Sequence, residues 1–135
     1  MGITIYAKNS SVDFYMSYNG FFRLRTLLAI NYNQKFGELY GKMHKLDTFD
    51  QDMNDLLSND EMFPEKDYPL LDFFFASDCE GKCNYKVCKR IYDLIKDVQG
   101  YDFQYAGFRR SESDIESFKR FLLECYRYHR NMVWS

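Results

Sequence analysis

The sequence predicts an α+β fold, mostly helical, with four or five helices and a small antiparallel sheet formed by the terminal segments. Three observations predict it. Residues 2–7 and 12–16 carry apolar or β-branched side chains in alternation, the period of a half-buried strand. From Gly20 onward the apolar spacing becomes helical. The closing Met132-Val133-Trp134 is apolar again and short enough to return as a strand beside the first. A chain of 135 residues is expected to be one domain, 1–135. Its 46% hydrophobic and 28% charged residues exclude wholesale disorder, and 7 Gly with 2 Pro exclude collagen-like readings. No run of about 18 apolar residues exists, nor a charged-then-apolar start, so neither a membrane span nor secretion is expected and the location reads as cytoplasmic.

The elements follow in order. After the first strand, Asn9-Ser10-Ser11 is turn chemistry, and Val12, Phe14 and Met16 repeat at period two as a hairpin partner. Phe21, Leu24, Leu27 and Leu28 share a helical face, with Arg23 and Arg25 off its centre. Asn31-Tyr32-Asn33 interrupts the pattern before Phe36, Leu39, Tyr40 and Met43 resume it, as two helices or one bent helix. Asp47 or Thr48 is placed to cap a short helix ending at Leu57, with Asp50 favoured by the dipole in its first turn. Pro64 and Pro69 bracket an irregular link, and Pro69 suits the start of a short apolar turn reaching Phe75. Asn84 reads as the N-cap of a helix with the stripe Val87, Cys88, Ile91, Leu94, Ile95 and Val98, ended by Gly100. Ser113 with Glu116 reads as a capping box ahead of Ile115, Phe118, Phe121, Leu122 and Cys125. Arg127, His129 and Arg130 then crowd that helix's C-terminus, where the dipole favours cations.

Charge is segregated along the chain. Residues 47–72 hold nine acids and one base, a net −8, so the remainder carries +6 to reach the total of −2. Spaced carboxylates such as Asp50, Asp52 and Asp55 can imitate a phosphate ladder and occupy a host protein that binds nucleic acid; otherwise they solvate a loop. Direct nucleic-acid binding is not expected at a pI near 5.7. The 12 Tyr and 13 Phe read as core and its margin, or as the interface of a homo-oligomer or larger assembly.

Two segments invite chemistry. Ser77-Asp78-Cys79-Glu80-Gly81 puts a hydroxyl, a thiol and two carboxylates in one tight turn, with Gly81 expected at positive φ. Placing Gly81 at the sixth position of a calcium loop leaves Ala76 and Val87 where acidic anchors are required, so too few oxygens remain. Cys79 as a nucleophile has acids beside it and no neighbouring His in sequence. A rigid loop whose polar groups bond the backbone is the structural alternative. Arg23 and Arg25, after the Tyr18-Asn19-Gly20 turn, suit phosphate or carboxylate; alternatively they are surface arginines pairing with the acidic segment. The candidate site for a small anionic ligand is thus Ser17, Tyr18, Arg23, Arg25, Ser77, Asp78 and Glu80.

Four Cys in an unsecreted chain read as reduced thiols. Cys79, Cys83 and Cys88 have a loose zinc-like spacing, with His44, His129 or Cys125 as a fourth ligand; against it, Cys88 and Cys125 fall on apolar stripes. No cofactor is expected, and the phosphate-loop, dinucleotide, zincin and nucleophile-elbow templates are absent.

Met1-Gly2-Ile3-Thr4-Ile5, Ser17-Tyr18-Asn19-Gly20-Phe21 with Arg25 and Leu28-Ala29, and Ser77-Asp78-Cys79-Glu80-Gly81 before a capped helix bearing Cys88 together resemble an uncharacterised family of small bacterial and phage proteins. Members begin MGxxI and carry SYxG(F/Y)xxxR. The resemblance implies packing for Cys83 and a cap for Asn84, and its phage members imply host takeover or counter-defence. The expected function is therefore a non-catalytic binding or inhibitor protein, acting on a host protein or sequestering a small anionic ligand. The alternatives are a small enzyme on a nucleotide or phosphorylated molecule, with Asp78 or Glu80 as base, and a structural subunit.

Overall fold

Alternation at the two ends of the chain builds one sheet. The computed structural model describes residues 2–10, 12–43, 51–98 and 112–135. Strands β1 (Gly2–Ala7), β2 (Phe14–Ser17), β3 (Gly81–Cys83) and β4 (Met132–Trp134) are all antiparallel, in the order β2-β1-β4-β3. Ile5 lies opposite Phe14 on one side and Trp134 on the other. That register turns Ile3, Ile5, Ala7, Phe14, Met16, Met132 and Trp134 into the core, while Tyr15 and Lys82 face outward.

The sheet thus joins the terminal segments as expected, with one addition. The polar turn after Ser77 runs on into β3, and Gly81 is not in the left-handed region that the sequence assigns it. Its requirement is space: a Cβ there would overlap the Trp134 ring, with Cε2 at 2.7 Å. Only glycine lets β3 pair with β4 directly opposite Trp134, which is fully buried.

Six α-helices lie among the described residues, one more than the upper expectation: α1 (Tyr18–Tyr32), α2 (Gln34–Lys42), α3 (Gln51–Leu57), α4 (Tyr68–Phe75), α5 (Tyr85–Ile95) and α6 (Glu112–Arg127). The interruption at residues 31–33 makes two helices. Asn33 is extended; its N–H donates to Ala29 O, and its side-chain oxygen accepts from Phe36 N–H. One residue therefore closes α1 and opens α2. Helix α1 starts at Tyr18, two residues before Gly20, because Ser17 Oγ accepts the Gly20 N–H at 3.0 Å. Asn84 caps α5 as expected, accepting from Lys86 N–H at 2.8 Å. Helix α6 begins at Glu112, ahead of the expected Ser113 cap. His44, Asp47, Thr48, Asp50, Gly100 and the Ser113 side chain lie outside the described residues.

The helices cover one face of the sheet. Phe14 meets Phe118 and Phe121 edge-on, and Trp134 packs between Phe21 and Phe73. A second aromatic cluster joins Tyr32, Phe36, Tyr40, Phe63 and Phe74. Its polar tips are satisfied: Tyr40 donates to Phe74 O at 2.6 Å, and Tyr32 to Asp67 Oδ2 at 2.9 Å.

Burial pushes the Tyr40 phenol up to about 12 and raises Tyr32 as well, with Asp67 adding to the second. A phenol raised in the folded state holds its proton more tightly there than in the unfolded chain. Its stabilisation is complete below pH ~10 and is lost as pH climbs through the folded value. Wild-type protein is expected to lose about 2 kcal/mol from Tyr40 alone between pH 10 and 12. Urea unfolding across that range checks this: Tyr40→Phe should show a shallower alkaline fall, and an identical slope would refute the assignment.

Candidate functional site

Among the residues singled out in the sequence, the structure brings one group together around the start of α1. The Tyr18 hydroxyl lies beside the Cys79 thiol, which holds its phenol above the ordinary value. The Cys79 thiol donates to Asp78 Oδ1 at 3.4 Å, and its N–H donates to Ser77 Oγ at 3.1 Å. Trp134 Nε1 donates to Ser77 O at 2.9 Å. These bonds tie the 77–80 loop to the core and to itself, which is the structural alternative for it.

The paired-arginine reading is corrected. Arg23 is exposed, whereas Arg25, one residue off that face, is 4% exposed beneath the loop. Arg25 Nη1 donates to the carbonyls of Phe73, Phe74 and Ala76 at 3.1, 3.3 and 2.8 Å, and its guanidinium lies 4.4 Å from the Phe21 ring centroid. A cation is thereby fixed on the negative end of α4, where the last carbonyls lack helical partners. Burial pulls this guanidinium below its ordinary value, with Tyr40 and Asp78 acting the other way. Neither arginine pairs with residues 51–72 among the described contacts. Glu80 is exposed, as are Asp52 and Asp55 on α3, and Asp50 lies outside the described residues.

The zinc set is separated too. Cys79 sits exposed on the loop, while Cys83, Cys88 and Cys125 are buried. The neighbouring Cys125 thiol alone would lower the pKa of Cys88. The Cys83 thiol and burial outweigh that and push it up; Cys125 is raised by the neighbouring Cys88 thiol and by burial. Such groups remain neutral thiols that pack as small hydrophobes. Among the described residues no three His, Cys, Asp or Glu side chains are arranged to hold a metal ion. Nor is any described helix long and apolar enough to cross a membrane.

One groove in the surface is a feature the sequence reading missed. A groove of about 630 Å³ runs between the start of α4, the first two turns of α5 and the end of α6. Lys66, Lys86, Lys89, Arg90 and Arg127 line it, and among the described residues no carboxylate does. Two of these cations are already engaged. Lys89 pairs with Asp93 at 2.6 Å, and Arg90 with Asp67 at 2.7 Å. Asp67 is buried and also accepts from Tyr32, so Arg90 is held from behind by an ordered carboxylate. Lys66, Lys86 and Arg127 are exposed and have no carboxylate partner among the described residues.

One wall is aromatic. The Tyr85 and His129 rings stack at 4.5 Å between centroids, 19° from parallel. His129 has φ 55, in the left-handed region. Its N–H donates to Tyr126 O while Arg130 N–H donates to Cys125 O, the doubled bond pattern that closes a helix through a left-handed residue. Glycine usually fills that position, so a histidine there carries backbone strain and a ring delivered to the groove. The signals were present in the sequence: Lys86, Lys89 and Arg90 share one helical face, and Arg127 and His129 sit at the far end of another helix.

No family model matches the chain, and no curated protein or solved structure is significantly similar to it.

Proposed function

We propose that this chain is a non-catalytic binding protein that holds a small anionic, phosphate-bearing ligand in the groove between α5 and α6. The observation that supports it is five Lys or Arg lining one groove with no carboxylate among the described residues, in a chain whose net charge is −2. Lys66 and Lys86 would act as point charges and Arg127 as a two-pronged donor to phosphate oxygens. The Tyr85–His129 stack offers a flat face to a planar moiety. Binding is favoured over turnover because the carboxylates offered as bases, Asp78 and Glu80, do not line this groove. Among the described residues no Ser, Thr or Cys nucleophile lines it either. The resemblance to phage proteins adds a proposal of origin, in which the ligand belongs to an infected host.

Calorimetric titration with pyrophosphate and with adenosine monophosphate tests the reading. Saturable binding is expected, weakened at least tenfold in the double variant Lys86→Gln/Arg127→Gln and falling with added salt. Both side chains are exposed, so the melting temperature should stay at the wild-type value. Absence of binding at millimolar pyrophosphate, or a double variant that binds as wild type does, overturns it.

A further inference from the structure

We propose that the full ligand of this surface is single-stranded nucleic acid, running from the α5–α6 groove across His129 onto the end of the sheet. The inference rests on the reading of the first groove and extends it. A second groove, of about 740 Å³, adjoins the first and shares His129 with it. Lys8 and Arg130 line it with Tyr6 and Tyr128, and again no carboxylate among the described residues does. Seven of the 18 Lys and Arg of the chain therefore line two grooves that meet at one residue. The pI of 5.7 averages this surface with the acidic residues 47–72, so it does not describe what a ligand meets here.

The rings decide which polyanion fits. The Tyr85–His129 stack stands where the grooves meet, and Tyr128 presents a ring 4.9 Å from the Arg130 guanidinium. Tyr126 and Tyr128 are 42% and 56% exposed and line the first and second grooves respectively. An acidic peptide would use the cations and leave these faces idle. A base-paired duplex hides its bases from them. Unpaired bases stack on such rings while the backbone tracks the cations. The two non-glycine residues at positive φ among the described residues, Asn9 and His129, both line the second groove, and Arg130 Nη1 donates to Asn9 O at 3.3 Å. Backbone strain is thus concentrated where the ligand would turn from one groove into the other.

Fluorescence anisotropy on the whole chain tests it, with labelled oligothymidylate and oligouridylate of about eight nucleotides, a duplex of the same length, and thymidine monophosphate as competitor. The oligomers are expected to bind at least a hundredfold more tightly than the mononucleotide, with log affinity falling against log salt at a slope of about −3 for four or so contacted phosphates. Lys8→Gln/Tyr128→Ala, at exposed second-groove positions, should weaken oligomer binding about tenfold and leave pyrophosphate binding unchanged. Mononucleotide binding without a gain for the oligomers overturns the inference and leaves the first-groove reading standing. Tighter binding of the duplex, or no effect of the second-groove variant, also overturns it. Silence toward every probe sinks both readings. Which oligomer binds better assigns DNA or RNA.

Discussion

Arg25→Ala is expected to destabilise the fold by about 3–5 kcal/mol, a large part of the ~5–15 kcal/mol that holds a domain together. Three carbonyls at the end of α4 accept from this one guanidinium. Phe73 O keeps the Ala76 N–H and Phe74 O the Tyr40 hydroxyl, but Ala76 O has no other donor among the described contacts, and a buried acceptor left unpaired costs about 1–3 kcal/mol. The three-carbon stem also leaves a cavity against Phe21. Arg25→Met restores the stem without the donors and should recover about 2 kcal/mol of the loss. Urea unfolding of the two variants separates packing from hydrogen bonding. If both unfold at the wild-type midpoint, the cost of burying the guanidinium cancels everything it binds. A surface arginine would give that same null result, so it is a loss of stability that favours the buried latch over the sequence's reading of Arg25 as a surface residue.

Arg25 shows why part of this molecule was legible and part was not. Its neighbours Leu24 and Leu28 announce a buried helical face, and the terminal strands, the Asn84 cap and the Val87–Cys88–Ile91–Ile95 stripe were readable for the same reason: each is a local pattern with a local cause. What Arg25 bonds to lies 48 to 51 residues away, and nothing within one turn of it says so. Gly81–Cys83 is a strand through its partner alone; three residues without a β-branched side chain pair because Trp134 lies opposite Gly81. The groove was lost for the same cause. Its cations come from positions 66, 86, 89, 90 and 127, and each has a bland local reading as a solvated or dipole-facing charge. Asp67 reads in the sequence as one more acid in a solvated run; folding makes it the buried anchor of Arg90.

That anchor depends on how α1 ends, which leads to the second large effect. Gly37→Ala is expected to cost about 2–4 kcal/mol even though alanine is the better helix former by about 1 kcal/mol. A Cβ at Gly37 would overlap the backbone Cα and N of Ile30, so the ends of α1 and α2 would have to part. They cannot part freely, because Asn33 alone joins them and caps both. Gly41, one turn on, meets only the Thr26 methyl at 3.3 Å, so Gly41→Ala should be neutral or slightly stabilising. Opposite signs at two glycines four residues apart distinguish a steric clamp from a general demand for flexibility, and thermal unfolding reads them directly. The clamp also carries a functional consequence. Tyr32, the last residue of α1, holds Asp67, and Asp67 holds Arg90 against the groove. Gly37→Ala should therefore weaken pyrophosphate binding as well, by less than the tenfold expected on removing Lys86 and Arg127, while Gly41→Ala leaves it unchanged. If Gly37→Ala destabilises the fold and binding is untouched, Arg90 is held by its own helix, and the Tyr32–Asp67 contact serves the core alone.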